Sequence, residues 1–252
     1  MIFSKKDVHS HDDIDALRLI GDDTPFAINE AFRALYTKVL YFPIADKCKK
    51  IAITSAISGE GKTYLATNLA ITLAKNSDNK KVLLVDLDMR KPRISRVMSK
   101  NFKKLKHRSG ASEYLAGIDA TPNIVSFDIP NLDILYSGKE NSNALGLVNS
   151  KRMLELLDKV SEEYDYVIFD TPPITLVSDA LVIADKINGY IISTRSDYSD
   201  INSVSHAVEL VQNVNGEIFG IVLTAVNPKS NAKYSRSYRS SSNYYYKTEH
   251  DT

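Results

Sequence analysis

The chain has one cysteine, Cys48, among 252 residues. One thiol forms no intramolecular disulfide, and it excludes a cysteine-based metal site within one chain. Both exclusions fit a reducing cytoplasm. Long apolar runs are missing as well. No stretch approaches the ~18–20 apolar residues that a membrane-crossing helix needs, so work at a membrane would require recruitment by another protein. The first 23 residues lack the apolar stretch of a secretory signal and carry nine charged residues instead. His9 and His11 have no further ligands at helix or turn spacing, which makes them poor metal candidates. A formal net charge of +1 says little about partners. Apolar and charged fractions of 43% and 25% are those of a globular chain with a sizeable core.

The chain is organised around Ala56-Ile57-Ser58-Gly59-Glu60-Gly61-Lys62-Thr63. The pattern is that of a phosphate-cradling P-loop, or Walker A motif. The apolar run Ile51-Ala52-Ile53 precedes it and a helical pattern, Tyr64 to Lys75, follows it, which is the strand–loop–helix setting such a motif requires. Gly59 and Gly61 let the backbone curl until several N–H groups face one phosphate. The helix N-terminus adds partial positive charge. Lys62 can reach the outer phosphates and Thr63 can ligate Mg²⁺. Ser58, Gly59, Glu60, Gly61, Lys62, Thr63 and Tyr64 are therefore the candidate nucleotide-binding residues.

Residues 1–26 read as a polar arm. From Pro25 the apolar residues Phe26, Ile28, Phe32, Leu35, Val39 and Leu40 recur at helical spacing, with Glu30, Arg33 and Lys38 expected on the exposed face. Strands are expected at 50–54, 81–86, 132–136, 166–170, 189–194 and 218–223. Helices are expected near 112–116, 150–161, 178–186 and 200–213. Continuous apolar strands such as Val82-Leu83-Leu84-Val85 suit a sheet buried on both faces. The alternation predicts an α/β fold, P-loop NTPase-like, with a mostly parallel sheet and helices on both faces. In such sheets ligands bind at the carboxyl ends of the strands. The P-loop, Asp86, Asp88 and Asp170 all fall at such ends. Asp170, after four apolar or aromatic residues, is placed to hold Mg²⁺. Asp86 and Asp88, two residues apart, supply a further metal ligand and a base for an attacking hydroxyl. Arg90 can neutralise charge on the transferring group.

Three segments, SAISGEGKT, VLLVDLDMR and YVIFDTPP, resemble in order and spacing the Walker A, A-prime and B motifs of bacterial tyrosine kinases. The resemblance covers roughly residues 27–246. It implies a kinase domain at 27–227 and transfer of the ATP γ-phosphate, with Mg²⁺, to tail tyrosines, mainly between subunits of a ring-shaped homo-oligomer. It implies a cytoplasmic enzyme brought to the inner face of the plasma membrane by a transmembrane activator of the polysaccharide chain-length type, a cognate tyrosine phosphatase, and no nucleic-acid partner. The process implied is control of capsular or exopolysaccharide synthesis. Lys62, Asp86, Asp88 and Arg90 become the catalytic set, and Thr63, Asp86, Asp88 and Asp170 the metal set. The alternatives are a partition- or division-type ATPase switch and a nucleotide-binding adaptor without kinase activity. The switch carries a lysine where this chain has Ile57. Three positions depart from the family pattern: Tyr36 replaces the last arginine of an interface motif that Glu30 and Arg33 otherwise fit, Ser58 replaces a proline, and Thr224 replaces an asparagine placed against the base.

Two segments stand outside this frame. From Arg90 to Arg108 there are nine basic residues and no acidic one, a solvated face or a dock for something anionic. Residues 228–252 have no apolar periodicity and are expected to be disordered in isolation. They hold five of the fourteen tyrosines, Tyr234, Tyr238, Tyr244, Tyr245 and Tyr246, which the resemblance marks as phosphoacceptors. Lys229, Lys233, Arg236, Arg239 and Lys247 against Glu249 and Asp251 give this tail a charge of +3. Phosphorylation of all five would carry it to roughly −5 to −7.

Overall fold

The computed structural model describes residues 19–98 and 109–226. The start of the polar arm with its two histidines, the stretch from Lys100 to Arg108, and the five tail tyrosines lie outside the described residues.

The chain enters through helix α1, Phe26–Tyr41, then strand β1, Lys49–Ser55, and helix α2, Lys62–Asn76. Strand β2, Val82–Asp86, leads to the short helices α3, Ile94–Met98, and α4, Ala111–Leu115. Strands β3, Val125–Ser126, and β4, Leu132–Leu135, precede helices α5, Ala144–Val148, and α6, Lys151–Glu163. Strand β5, Tyr166–Asp170, is followed by a 3₁₀ helix, Leu181–Lys186, strand β6, Gly189–Arg195, helix α7, Ile201–Asn213, and strand β7, Ile218–Thr224.

The seven strands form one sheet in the order β3-β4-β2-β5-β1-β6-β7. All neighbours are parallel except β3 and β4. Alternation sorts each central strand between two cores, as a period of two requires. Ala52, Leu83, Val85, Val167 and Phe169 face the core closed by α4, α5, α6 and α7. Ile51, Ile53, Val82, Leu84 and Ile168 face the core closed by α1 and α2. The expected α/β sheet with helices on both faces is therefore present.

Helix α2 is buried on nearly every side from Lys62 to Ala74, so its apolar residues cover most of its circumference. Helix α1 buries only Phe32 and Val39 and leaves Phe26, Ile28 and Tyr41 exposed. Its C-terminal carbonyls converge on one cation: Lys49 Nζ donates to Val39 at 2.9 Å, Leu40 at 2.7 Å and Phe42 at 3.3 Å. This satisfies acceptors that a helix end leaves open.

The expected helix at 178–186 is shorter, a 3₁₀ turn starting at Leu181. Asp179, 2% exposed and held by Arg90, pins the chain just before it. Helices α3 and α5 and strand β3 were not expected, whereas the equally short α4 was; at two to five residues periodicity does not decide.

Candidate active site

Register places the acidic residues before any side chain is considered. Asp170 pairs with Ile53 of β1 and with Asp86 of β2 across adjacent parallel strands. The P-loop leaves the same end of β1. Gly59 and Gly61 take φ of +89° and +82°, a region that L side chains rarely enter. A Cβ on Gly61 would also sit 3.1 Å from Thr224 Oγ1.

The side chains of the motif then converge. Lys62 Nζ donates to Asp88 Oδ2 at 2.8 Å and lies 3.8 Å from Asp170 Oδ1. Thr63 Oγ1 donates to Asp170 Oδ2 at 2.6 Å. Asp170 Oδ1 is buried with no hydrogen-bond partner. Asp86 accepts from the amides of Asp88 and Ile94, both at 3.2 Å. Asp88 thus turns toward the cradle, whereas Asp86 braces its own loop.

Three buried carboxylates share one lysine. Burial drives Asp170 up to about 6, opposed by Lys62 and the Thr63 hydroxyl and assisted by Asp88. Burial, then Asp170 and Asp88, push Asp86 well above the usual carboxylate range. Burial opposes the charge on Lys62, but Asp170 and Asp88 outweigh it and raise the ammonium. The negative excess, the orphaned Asp170 oxygen and the all-oxygen donor set fit a hard divalent cation such as Mg²⁺. Among the described residues no group of three or more His, Cys, Asp or Glu could hold a metal. Waters and nucleotide phosphates would therefore have to supply most ligands of a cation here.

Residues 48–220 match the family described as "AAA domain". Tyrosine-protein kinase CpsD of Streptococcus agalactiae is 34% identical over 199 residues, 79% of this chain and 82% of that protein. Tyrosine-protein kinase YwqD of Bacillus subtilis is 30% identical over 218 residues, 86% of this chain and 89% of that protein. The kinase domain of the Escherichia coli tyrosine kinase ETK shares the fold with a TM-score of 0.70 at 28% identity, over 83% of this chain and 85% of that domain. The chain spans 31% of the full length of the E. coli tyrosine-protein kinase etk. The chain belongs to the bacterial tyrosine kinase family. By that membership it is a protein-tyrosine kinase on a P-loop NTPase fold, and its cradle fits ATP.

Several residues of this kinase are placed differently from what spacing suggests. Glu60 is fully buried; its carboxylate accepts from the Ile57 amide at 2.7 Å and from the Ser199 hydroxyl. Its carbonyl accepts from Ser193 Oγ at 2.6 Å and Thr224 Oγ1 at 2.9 Å. Tyr198 donates to the Ser58 carbonyl at 3.0 Å and Arg195 to that of Gly59 at 3.3 Å. The end of β6, the turn after it and Thr224 of β7 therefore brace the P-loop. These residues lie more than 130 positions from the loop they hold, so no local pattern announces them. Tyr64 packs edge-on against Phe32, with ring centroids 5.9 Å apart. Arg90 grips Asp179 rather than standing over the cradle. Glu30 and Arg33 pair with each other at 2.9 Å on the exposed side of α1. Tyr36 instead reaches the Asn76 carbonyl at 2.9 Å and ties α1 to the end of α2. No helix among the described residues is long and apolar enough to cross a membrane.

Proposed function

We propose that this chain is an ATP-dependent tyrosine autokinase whose acceptors are Tyr234, Tyr238, Tyr244, Tyr245 and Tyr246, presented to the site of a neighbouring subunit. The observation that carries this reading is the convergence of Lys62, Thr63, Asp88 and Asp170 at the mouth of the P-loop, with Asp86 in register beside Asp170. The backbone of 58–63 binds the phosphates, and Lys62 exchanges Asp88 for the anion it is built to meet. Thr63 and Asp170, with the Asp86–Asp88 pair, would hold Mg²⁺, which neutralises phosphate charge when bound. A carboxylate of the same acidic pair takes the phenolic proton. The tyrosine oxygen bonds to the γ-phosphorus, and the bond from that phosphorus to the bridging oxygen breaks to release ADP.

Three further parts complete the proposal. Glu30 and Arg33 of α1 contribute to a ring of subunits. A transmembrane activator recruits the kinase to the inner face of the membrane, and a phosphatase resets the tail. The system regulates capsular or exopolysaccharide synthesis. Phosphate accumulating on the tail reverses its charge and loosens the ring.

The test is incubation with Mg-ATP, alone and with the cytoplasmic segment of a candidate activator, followed by phosphotyrosine mapping. Wild type should label the tail. Lys62→Met, and the variant with all five tail tyrosines changed to Phe, should not. ATP hydrolysis without phosphotyrosine in the wild type would sink the autokinase reading. An oligomer mass that is unchanged by multiple phosphorylation would sink the loosening step.

A further inference from the structure

The turn after β2 carries Asp88 and is closed locally. The Lys91 amide donates to the Asp88 carbonyl at 3.2 Å and to Asp88 Oδ1 at 3.1 Å. Arg90 sits inside that turn. Its Nε donates to Asp179 Oδ2 at 2.6 Å and its Nη2 to Asp179 Oδ1 at 3.0 Å. Its Nη1 donates to the Ser142 carbonyl at 3.2 Å. The Asn141 amide adds a bond to the Met89 carbonyl at 2.9 Å. Three segments distant in sequence meet here: the turn itself, the stretch after β5 and the approach to α5.

A two-point fork restrains rotation as well as distance, which a single hydrogen bond does not. Asp179 is 2% exposed, so water competes little for its carboxylate. Resting on the kinase reading above, we propose that Asp179 is a positioning residue for phosphoryl transfer. It holds Arg90, Arg90 holds the 88–91 turn, and the turn sets where Asp88 stands against Lys62. The Arg90 fork is thereby assigned to the loop. Rigid placement matters here because an error of about 1 Å at a reacting group can cost about 100-fold in rate.

Asp179→Asn, Arg90→Gln and the double variant test this. In Asp179→Asn, kcat for ATP turnover should fall about 10- to 100-fold with little change in KM for ATP, because the P-loop that binds the phosphates is untouched. The second readout needs no catalysis. The ratio of ADP affinities with and without Mg²⁺, measured by calorimetry, should fall about tenfold, the low end of that range, while metal-free ADP binding stays at the wild-type level. Arg90→Gln should reproduce both effects. The double variant removes both charges, so it leaves no buried carboxylate unpaired. It should be no worse than the poorer single, since both residues act along one path. An unchanged kcat and affinity ratio in Asp179→Asn overturns the proposal. So does a matching loss of metal-free ADP binding, which marks general damage to the site, or additive losses in the double. Should wild type form no phosphotyrosine, the kinase reading falls and the affinity ratio alone decides the role of Asp179.

Discussion

Asp170→Asn should make the nucleotide-free protein more stable while removing its capacity for Mg²⁺. Asp170 is fully buried, and one of its oxygens has no hydrogen-bond partner. Burial raises its carboxyl from an ordinary 3.8 to about 6. At neutral pH the group is ionised in both states, so that displacement amounts to about 3 kcal/mol withheld from folding. Asparagine keeps an acceptor for the Thr63 hydroxyl and drops the charge. Its amide then faces Lys62, which offers no acceptor, so the expected net gain is about 1–2 kcal/mol. The sign with pH follows from the raised folded value. The protonated carboxyl costs little, so wild type and variant should coincide below about pH 4. The advantage of the variant should grow as pH rises from about 4 to 6 and level off above. Urea unfolding in EDTA across pH 4–8 measures this, and calorimetry with Mg-ADP measures the lost metal dependence. A variant less stable than wild type at pH 8, with the deficit shrinking toward pH 4, would refute the reasoning. It would mean that the site is satisfied without a cation. The same logic explains why such a costly cluster persists: the strain is relieved by the ligands that the site exists to bind.

Lys49→Met should cost about 1–3 kcal/mol, because three carbonyls at the end of α1 lose one charged donor; amide exchange should speed up in α1 before the sheet. Glu113→Gln should lose about 1–3 kcal/mol at neutral pH, since its carboxylate accepts from the amides of Gly110 and Lys139 and from Ser112 Oγ. Although burial pushes the Glu113 carboxyl up, these bonds win and hold it below the ordinary 4.5. Wild type therefore keeps this stability above 4.5 and loses it as pH falls through the lower folded value, so urea melts of the pair should converge in acid. Gly61→Ala should cut ADP affinity at least about tenfold, an expectation from positive φ and crowding by Thr224 Oγ1. Titration calorimetry on the folded variant checks it, and wild-type affinity would contradict it.

The sequence was most legible where local chemistry and the sheet period agree. SAISGEGKT between an apolar strand and an apolar helix asks for a tightly curled loop, and the structure has positive φ at Gly59 and Gly61. Apolar runs ending in Asp86 and Asp170 marked central parallel strands, because only strands covered on both faces are apolar throughout. Five-residue helices were legible unevenly: α4 was expected and α3 and α5 were not, because a single turn is too short for a helical period to decide. Side-chain direction was illegible too. Spacing gave Asp86 and Asp88 one facing, yet the chain leaves its extended course after Asp86, and the two carboxylates part toward backbone amides and Lys62.

The sequence alone determined the fold class, the phosphate cradle and the acidic strand ends. These follow from periodicity and from residue types that no other local structure suits. Folding settled which carboxylate meets Lys62, that the Arg90 fork is held by Asp179, and that Arg195 at the end of β6, with Tyr198 and Ser199 just beyond it, braces the P-loop. Such contacts join residues 26 to 140 positions apart. Their energy depends on burial and bond geometry, and neither exists until the sheet has brought the strand ends together.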